Sequence, residues 1–232
     1  VVEELFLNDS YVKEFEATVT KVQGSKVFLD RTAFYPGGGG LDNDVGWLLS
    51  GSEEFRVSNV AREGDEIAHL VEGQMEVGEQ VKGKIDWERR YRIMRLHTLS
   101  HMIAAIAYTK FKALVTGGHI SSEYAKDDFN VEDKETLERI IREAEQIAKE
   151  GRKVKIYFLP RDEALKIEGI VKLAGRSPPD LQTWRIVEID GIDVQADGGP
   201  HVSNTLEIGN VKLLRVENKG KGRKRVYYTV EP

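Results

Sequence analysis

The stretch DWERRYRIMRLHTLSHMIAAIAYTKFK, residues 86–112, is where the chain changes its hydrophobic period. Met94, Leu99, Ile103 and Ile106 recur at helical intervals, and Asp86 ahead of the run is a suitable N-cap, so the stretch predicts one long helix from Asp86 to about Lys112. Within it His97 and His101 stand four residues apart, so both imidazoles leave the same face and can share an ion. Taken alone the pair is a weak signal, because surface or core histidines also meet at this spacing by chance. The spacing is that of the zinc-protease helix, but that chemistry places a glutamate directly after the first histidine as general base. Thr98 stands there, which argues against a protease.

Upstream of the helix the period is two. Phe15 to Thr20, Lys26 to Asp30, Gly46 to Leu49, Glu54 to Asn59, Glu66 to Val71 and Gln80 to Ile85 read as short strands broken by Gly and polar turns, the pattern of a small β-barrel or sandwich. Downstream, Val131 to Glu150 reads as a second amphipathic helix, with Leu137, Ile140, Ile141, Ala144, Ile147 and Ala148 on one face and Gly151 as its stop. That face is expected to pack on a sheet. Its strands would include Val154 to Phe158, Trp184 to Ile189 and Ile192 to Ala196, the last two joined by an Asp190-Gly191 turn, with Val211 to Glu217 and Val226 to Val230 as a closing hairpin. The expected fold class is α+β: a small glycine-rich β-barrel domain over 1–86, then an α+β domain over 87–232 whose long helix packs on an antiparallel sheet.

A second set of ligand types lies in Asp197-Gly198-Gly199-Pro200-His201, a glycine-bent loop after a predicted strand that can turn Asp197 and His201 towards one point. If that point is the helix pair, the ligand set is three imidazoles and a carboxylate, all acceptable to zinc at neutral pH. The plain alternative is that Asp197 closes the Gly-Gly turn and His201 is a loop residue. His69 and His119 have no partner at ligand spacing and read as structural. A metal so held suits ester hydrolysis, since it lowers the pKa of water and polarises a carbonyl. Asp197 then serves either as a fourth ligand or as a loose one that yields its place and acts as base.

Composition narrows the classes. With no cysteine, disulfides, thiolate nucleophiles and Cys-ligated zinc are excluded. A net charge of -5 argues against a generally basic nucleic-acid coater, though not against a local basic patch. The absence of a long apolar run and of a signal-like N-terminus makes a cytoplasmic location, with no membrane, the expectation.

Three motifs, in order, resemble the alanyl-tRNA editing proteins, free-standing relatives of the editing domain of alanyl-tRNA synthetase. They are LDRTAFYPGGGG (29–40) with Asp44 and Gly46, HTLSH (97–101), and GGPHVSNTLEIG (198–209), and the resemblance covers nearly the whole chain. It implies hydrolysis, in trans, of tRNA for alanine mischarged with serine or, in some members, glycine. It also implies a glycine-rich barrel followed by an editing domain, and one zinc per chain held by two helix histidines, a cysteine and a histidine four residues on. Those positions are His97, His101, Asp197 and His201 here, which makes these four both the metal ligands and the catalytic centre. Thr32, in the family's Thr-x-Phe-Tyr-Pro stretch, would bond the serine hydroxyl and so disfavour alanine. Asp197 replaces the cysteine, Pro200 a threonine and Leu41 a glutamine. An aspartate keeps the thiolate's charge but is harder and shorter, which leaves the identity of the divalent ion open.

The implied partner is the acceptor stem and aminoacylated 3′ end of the tRNA, with no obligate protein partner. Arg89, Arg90, Arg92 and Arg95 at the start of the helix, and Lys219, Lys221 and Arg223 in a basic hairpin tip, are candidates for phosphate contacts. Gly38, Gly39 and Gly40 would let backbone amides approach the terminal adenosine or the ester, and Tyr35 beside them either stacks on a base or belongs to the core. Two further readings remain at this point: a tRNA-binding module without metal or catalysis, and a metal-dependent hydrolase of another small ester.

Overall fold

The computed structural model describes residues 1–170 and 180–232. The chain divides into two compact units, Val1–Ile93 and Met94–Pro232, and the division falls inside the long helix.

In the first unit a short strand β1 (Glu3–Glu4) is followed by β2 (Glu14–Gln23), β3 (Lys26–Leu29), β4 (Arg31–Thr32), β5 (Gly46–Ser50), β6 (Glu53–Glu63), β7 (Glu66–Glu72) and β8 (Gln80–Ile85). Six of them close a barrel in the order β2-β3-β7-β6-β5-β8. Alternation explains why these segments are strands. In β8, Val81, Gly83 and Ile85 face inwards while Gln80, Lys82 and Lys84 face solvent, and β2 does the same with Phe15, Ala17 and Val19. Gly83 has a steric reason: a Cβ there would stand 2.3 Å from the Phe15 ring, which fills the barrel and meets Phe34 edge-on.

Helix α1 (Trp87–Phe111) begins where Asp86 accepts from the Arg89 amide at 3.3 Å, the N-cap expected of it. Next come β9 (Val115–Ile120), β10 (Ala125–Phe129), α2 (Lys134–Ala148), β11 (Val154–Pro160), α3 (Arg161–Ala164), β12 (Thr183–Ile189), β13 (Asp193–Ala196), β14 (Val211–Asn218) and β15 (Lys224–Val230). No helix among the described residues is long and apolar enough to cross a membrane.

The second unit corrects the sequence reading in three places. The single sheet expected there is two antiparallel sheets: β14-β15-β10-β9, and β11-β12-β13. The closing hairpin therefore pairs with β9 and β10, neither of which shows a strand-like periodicity, and the three-stranded sheet keeps a small core of its own around Trp184, Ile186, Ala164 and Ile170. Helix α2 starts at Lys134 rather than Val131, because the Asp133 side chain accepts from the Thr136 amide at 2.7 Å and sets the first turn. The turn between β12 and β13 is the one expected, with Gly191 at φ +72°.

Candidate metal centre

In the second unit, α1 supplies His97 and His101, and the loop after β13 supplies Asp197 and His201. Their ligand atoms lie within 4.8 Å of one another. Asp197 Oδ2 stands 2.9 Å from His97 Nε2, 2.8 Å from His101 Nε2 and 3.6 Å from His201 Nε2. The other side of each ring is held. His97 Nδ1 donates to Pro200 O at 3.0 Å, and His201 Nδ1 lies 2.9 Å from Thr98 Oγ1, which itself accepts from the Val202 amide. His101 Nδ1 faces the buried Asp193 carboxylate at 3.6 Å. Such outer contacts choose the tautomer and turn the Nε2 atoms towards one point, where a metal ion could be held.

The loop is equally determined. Asp197 Oδ1 accepts from the Gly199 amide at 2.6 Å, which turns Oδ2 towards the rings. Buried Arg185 donates to Asp197 O at 2.7 Å and to Gly199 O at 2.8 Å, fixing the bend. Beyond His201 the chain is locked by a capping box in which Asn204 caps a short helical turn (Thr205–Ile208) and Glu207 reaches back to the Asn204 and Ser203 amides.

These contacts make a cation the best fit to the site. With its proton on the Pro200 carbonyl, His97 presents a lone pair to a carboxylate oxygen at 2.9 Å, an acceptor facing an acceptor. Charging all three imidazoles instead would place like charges side by side, since the His97 and His201 rings stack at 3.8 Å between centroids. A divalent ion removes the conflict. Ligand atoms on a tetrahedral ion with bonds of about 2.0–2.1 Å stand roughly 3.3 Å apart, and the three nitrogen-to-oxygen distances, 2.9, 2.8 and 3.6 Å, straddle that value.

The protonation equilibria point the same way. Burial alone would raise the Asp197 pKa, but the His97, His101 and His201 imidazoles outweigh it and hold the carboxyl well below its usual range. His201 is pushed well below an ordinary imidazole, first by burial and then by His97, so it is a neutral donor. Burial also opposes charge on His101, but the carboxylates of Asp197, Asp193 and Asp127 win and its pKa lies above the ordinary value. His97 and His201 are almost fully covered, with side chains 4% and 0% exposed, whereas His101 at 13% and Asp197 at 16% form the open side.

The remaining expected residues are distributed as follows. Thr32 is fully buried in the barrel unit; its hydroxyl donates to His69 Nε2 at 2.9 Å and accepts from the Phe34 amide at 3.1 Å. His69 in turn donates through Nδ1 to Val27 O at 2.9 Å, and burial drives its pKa down to about 4. Tyr35 lies in the core, edge-on to Phe6, with its hydroxyl donating to Gly38 O. Gly37 to Gly40 all have positive φ, and Gly38 and Leu41 exchange two backbone hydrogen bonds of 3.1 Å, so the loop needs glycine for its shape. Leu41 is buried.

Two arginines are not where a phosphate could reach them. Arg90 is completely buried, paired with Asp44 and bonded to Ser10 O and Ala33 O, and Arg95 donates to Glu207 O, Ile208 O and Glu231 O. Arg89 is partly covered and donates to Asn43 O, Arg92 is partly exposed, and Lys219, Lys221 and Arg223 are exposed on the β14–β15 turn. His119 is exposed on β9, away from any ligand cluster found among the described residues. Sequence reasoning missed Asp193 and Arg185, whose roles depend on tertiary packing; the Asn204…Glu207 capping box was readable.

Two stretches of the chain match models of tRNA synthetase families, and the Asp197-x-x-x-His201 loop lies in one of them. Residues 184–227 match the family model for the threonyl and alanyl tRNA synthetase second additional domain, and residues 4–89 match the model for class II (A) tRNA synthetases. The chain belongs to the alanyl-tRNA editing protein family. It is 64% identical over 234 residues to the alanyl-tRNA editing protein AlaX-M of Saccharolobus solfataricus, covering 99% of both chains, and 39% identical over 239 residues to that of Methanosarcina barkeri, covering 98% of both. It is also similar to part of the alanine–tRNA ligase of Ignicoccus hospitalis, 38% identical over 97% of this chain and 25% of the ligase.

Proposed function

We propose that this chain is a deacylase acting in trans on tRNA for alanine that carries serine, and secondarily glycine, with one zinc ion held by His97, His101, Asp197 and His201. The observation that carries the reading is the convergence of three Nε2 atoms on Asp197 Oδ2, in a chain matched end to end by an editing protein. Zinc, when bound, supplies Lewis acidity to an ester carbonyl and to water. Pro200 O, Thr98 and Asp193 hold the three rings in register for it. The ester enters past His101 and Asp197, which keep exposed surface; Asp197 serves either as a fourth ligand throughout or as a loose one that yields its place and takes the proton of the attacking water. Water adds its oxygen to the carbonyl carbon, the bond to the ribose oxygen breaks, that oxygen takes a proton, and free amino acid leaves.

Thr32 reads the serine hydroxyl in this account. Its own proton is committed to His69 and one lone pair to the Phe34 amide, so the only further bond it can make is as an acceptor. A serine hydroxyl can donate to it and the methyl of alanine cannot. Because Thr32 is buried without substrate, this contact requires local movement. Lys219, Lys221, Arg223, Arg89 and Arg92 contact acceptor-stem phosphates, and a tRNA substrate is in keeping with a cytoplasmic protein. The test is hydrolysis of Ser-tRNA and Ala-tRNA for alanine by the purified protein. The reading expects the seryl ester to be cleaved at least about 100-fold faster, as a site built to bond a hydroxyl allows; equal cleavage of both, or of neither, overturns it.

A further inference from the structure

Beside the metal centre, in the same unit, lies a carboxylate that the function above does not use. Asp127 sits on β10 between β9 and β15, is 5% exposed, and is satisfied on one oxygen only. Its Oδ2 accepts from the Tyr228 hydroxyl at 2.5 Å and from the Ser100 hydroxyl at 3.3 Å. Ser100 directly precedes the ligand His101, and the Asp127 charge acts on that imidazole. Tyr228 is completely buried, so the anchor is rigid. No hydrogen bond is formed by Oδ1 among the described residues.

The space in front of Oδ1 is kept open by a glycine. Gly118 is the residue paired with Asp127 across β9 and β10, and a Cβ there would stand 2.4 Å from Oδ1 and 2.8 Å from Lys126 O. Any side chain at 118 would therefore occupy the position from which a donor reaches Oδ1. Burial of the residue pushes its pKa up to about 6, yet Oδ1 itself is not closed off from solvent, and Gly118 in front of it is exposed. That oxygen is open to a donor from outside the protein, and the chain presents none of its own to it among the described residues.

An aminoacyl ester carries an ammonium group one carbon away from the carbonyl that is attacked. With the carbonyl at the metal centre, the ammonium needs an anionic acceptor close by, and the four ligands are already engaged with one another. We propose that Asp127 Oδ1 is the acceptor for the substrate's α-ammonium group, with Gly118 providing its niche and Tyr228 and Ser100 positioning the carboxylate. The inference rests on the deacylase reading and adds the part of the aminoacyl group common to serine, glycine and alanine. It fixes the favoured substrate class as esters of amino acids with a free amino group, with N-acylated ones cleaved more slowly.

The experiment uses two non-hydrolysable 3′-amide analogues of the aminoacylated terminal adenosine. One bears seryl; the other bears a neutral hydroxyl in place of the ammonium. Wild-type protein and Asp127→Asn, which keeps size and the Tyr228 and Ser100 contacts through its carbonyl oxygen, are compared by calorimetry after metal content and melting temperature have been matched. The wild type is expected to bind the ammonium analogue at least about tenfold more tightly than the neutral one, and Asp127→Asn to bind the two alike. A variant that weakens both analogues equally, or that changes only metal affinity, overturns the proposal and leaves the deacylase reading standing. Ammonium-selective binding lost in the variant, in a protein that cleaves no aminoacyl-tRNA, upholds the subsite and overturns the deacylase. Wild-type protein that binds neither analogue overturns the subsite. The kinetic counterpart is N-acetyl-Ser-tRNA: the variant should lose activity on Ser-tRNA and nothing further on the acetylated ester.

Discussion

Asp197 Oδ2 is the point on which three Nε2 atoms converge. Asp197→Asn keeps the Gly199 contact and removes the charge, and it should lower metal affinity about tenfold or more, measured by competition with a chromophoric chelator. Asp197→Cys restores the family's usual ligand and should shift preference towards zinc over harder ions. A variant Asn protein that holds metal as tightly as wild type would show that the carboxylate is not a ligand. In the barrel unit, Thr32 and His69 form a buried polar pair. Thr32→Val leaves His69 Nε2 without its donor and should cost about 1–3 kcal/mol of stability, and on the proposed function it should also narrow the gap between seryl and alanyl ester cleavage. His69 has a folded pKa of about 4 against 6.5 for the free side chain. In that window the unfolded chain binds the proton and the folded one does not, so stability is full above about pH 6.5 and falls as pH drops towards 4, by about 3 kcal/mol for this one group. His69→Gln should flatten the melting-temperature profile between pH 7 and 4.5; an unchanged profile would contradict the assignment.

At the scale of elements, α1 was legible because Asp86 caps it and its apolar residues keep the helical period, and the barrel strands were legible because β2 and β8 alternate cleanly. Strands β9 and β10 were hidden by their own chemistry. In β9 the run Val115–Ile120 contains Gly117 and Gly118, and in β10 the inward position between Ala125 and Phe129 is the acidic Asp127, so neither shows an apolar alternation. The residues that erased the pattern are those to which the ammonium site is assigned, which is where local preference and function should conflict. Arginine misled in the opposite sense. Arg90 and Arg95 look like solvent-facing charges in the sequence, yet each satisfies backbone carbonyls inside its unit. Arg90 also pairs with Asp44, whose carboxylate accepts from the Tyr35 amide at 2.7 Å, so the pair ties both sides of the glycine loop to the start of α1. Arg90→Met strands a buried carboxylate and should destabilise the barrel unit by about 3–5 kcal/mol in urea unfolding; a loss under about 1 kcal/mol would mean the loop is held by its backbone alone.

For the whole molecule, a net charge of -5 leaves nucleic-acid affinity to local patches. If Lys219, Lys221 and Arg223 meet phosphates, replacing all three with alanine should weaken tRNA binding at every sequence and reduce the salt dependence by about one unit of slope for each phosphate no longer neutralised. An unchanged slope would remove the hairpin from the interface. The candidate ligand set was legible in the sequence only as spacing on a helix and a glycine-bent loop; that the four side chains converge on one point emerged from ring and carboxylate orientation, which no sequence displays. The central claim is that these four residues hold an ion without which the ester is not cleaved, and the most direct measurement is a metal titration. Protein stripped with chelator should hydrolyse Ser-tRNA for alanine at no more than about 1% of the loaded rate, the scale of loss expected when metal electrostatics are removed, and recover in proportion to added zinc up to one equivalent per chain. Full activity in the stripped protein, or recovery that does not saturate at one equivalent, would contradict the account.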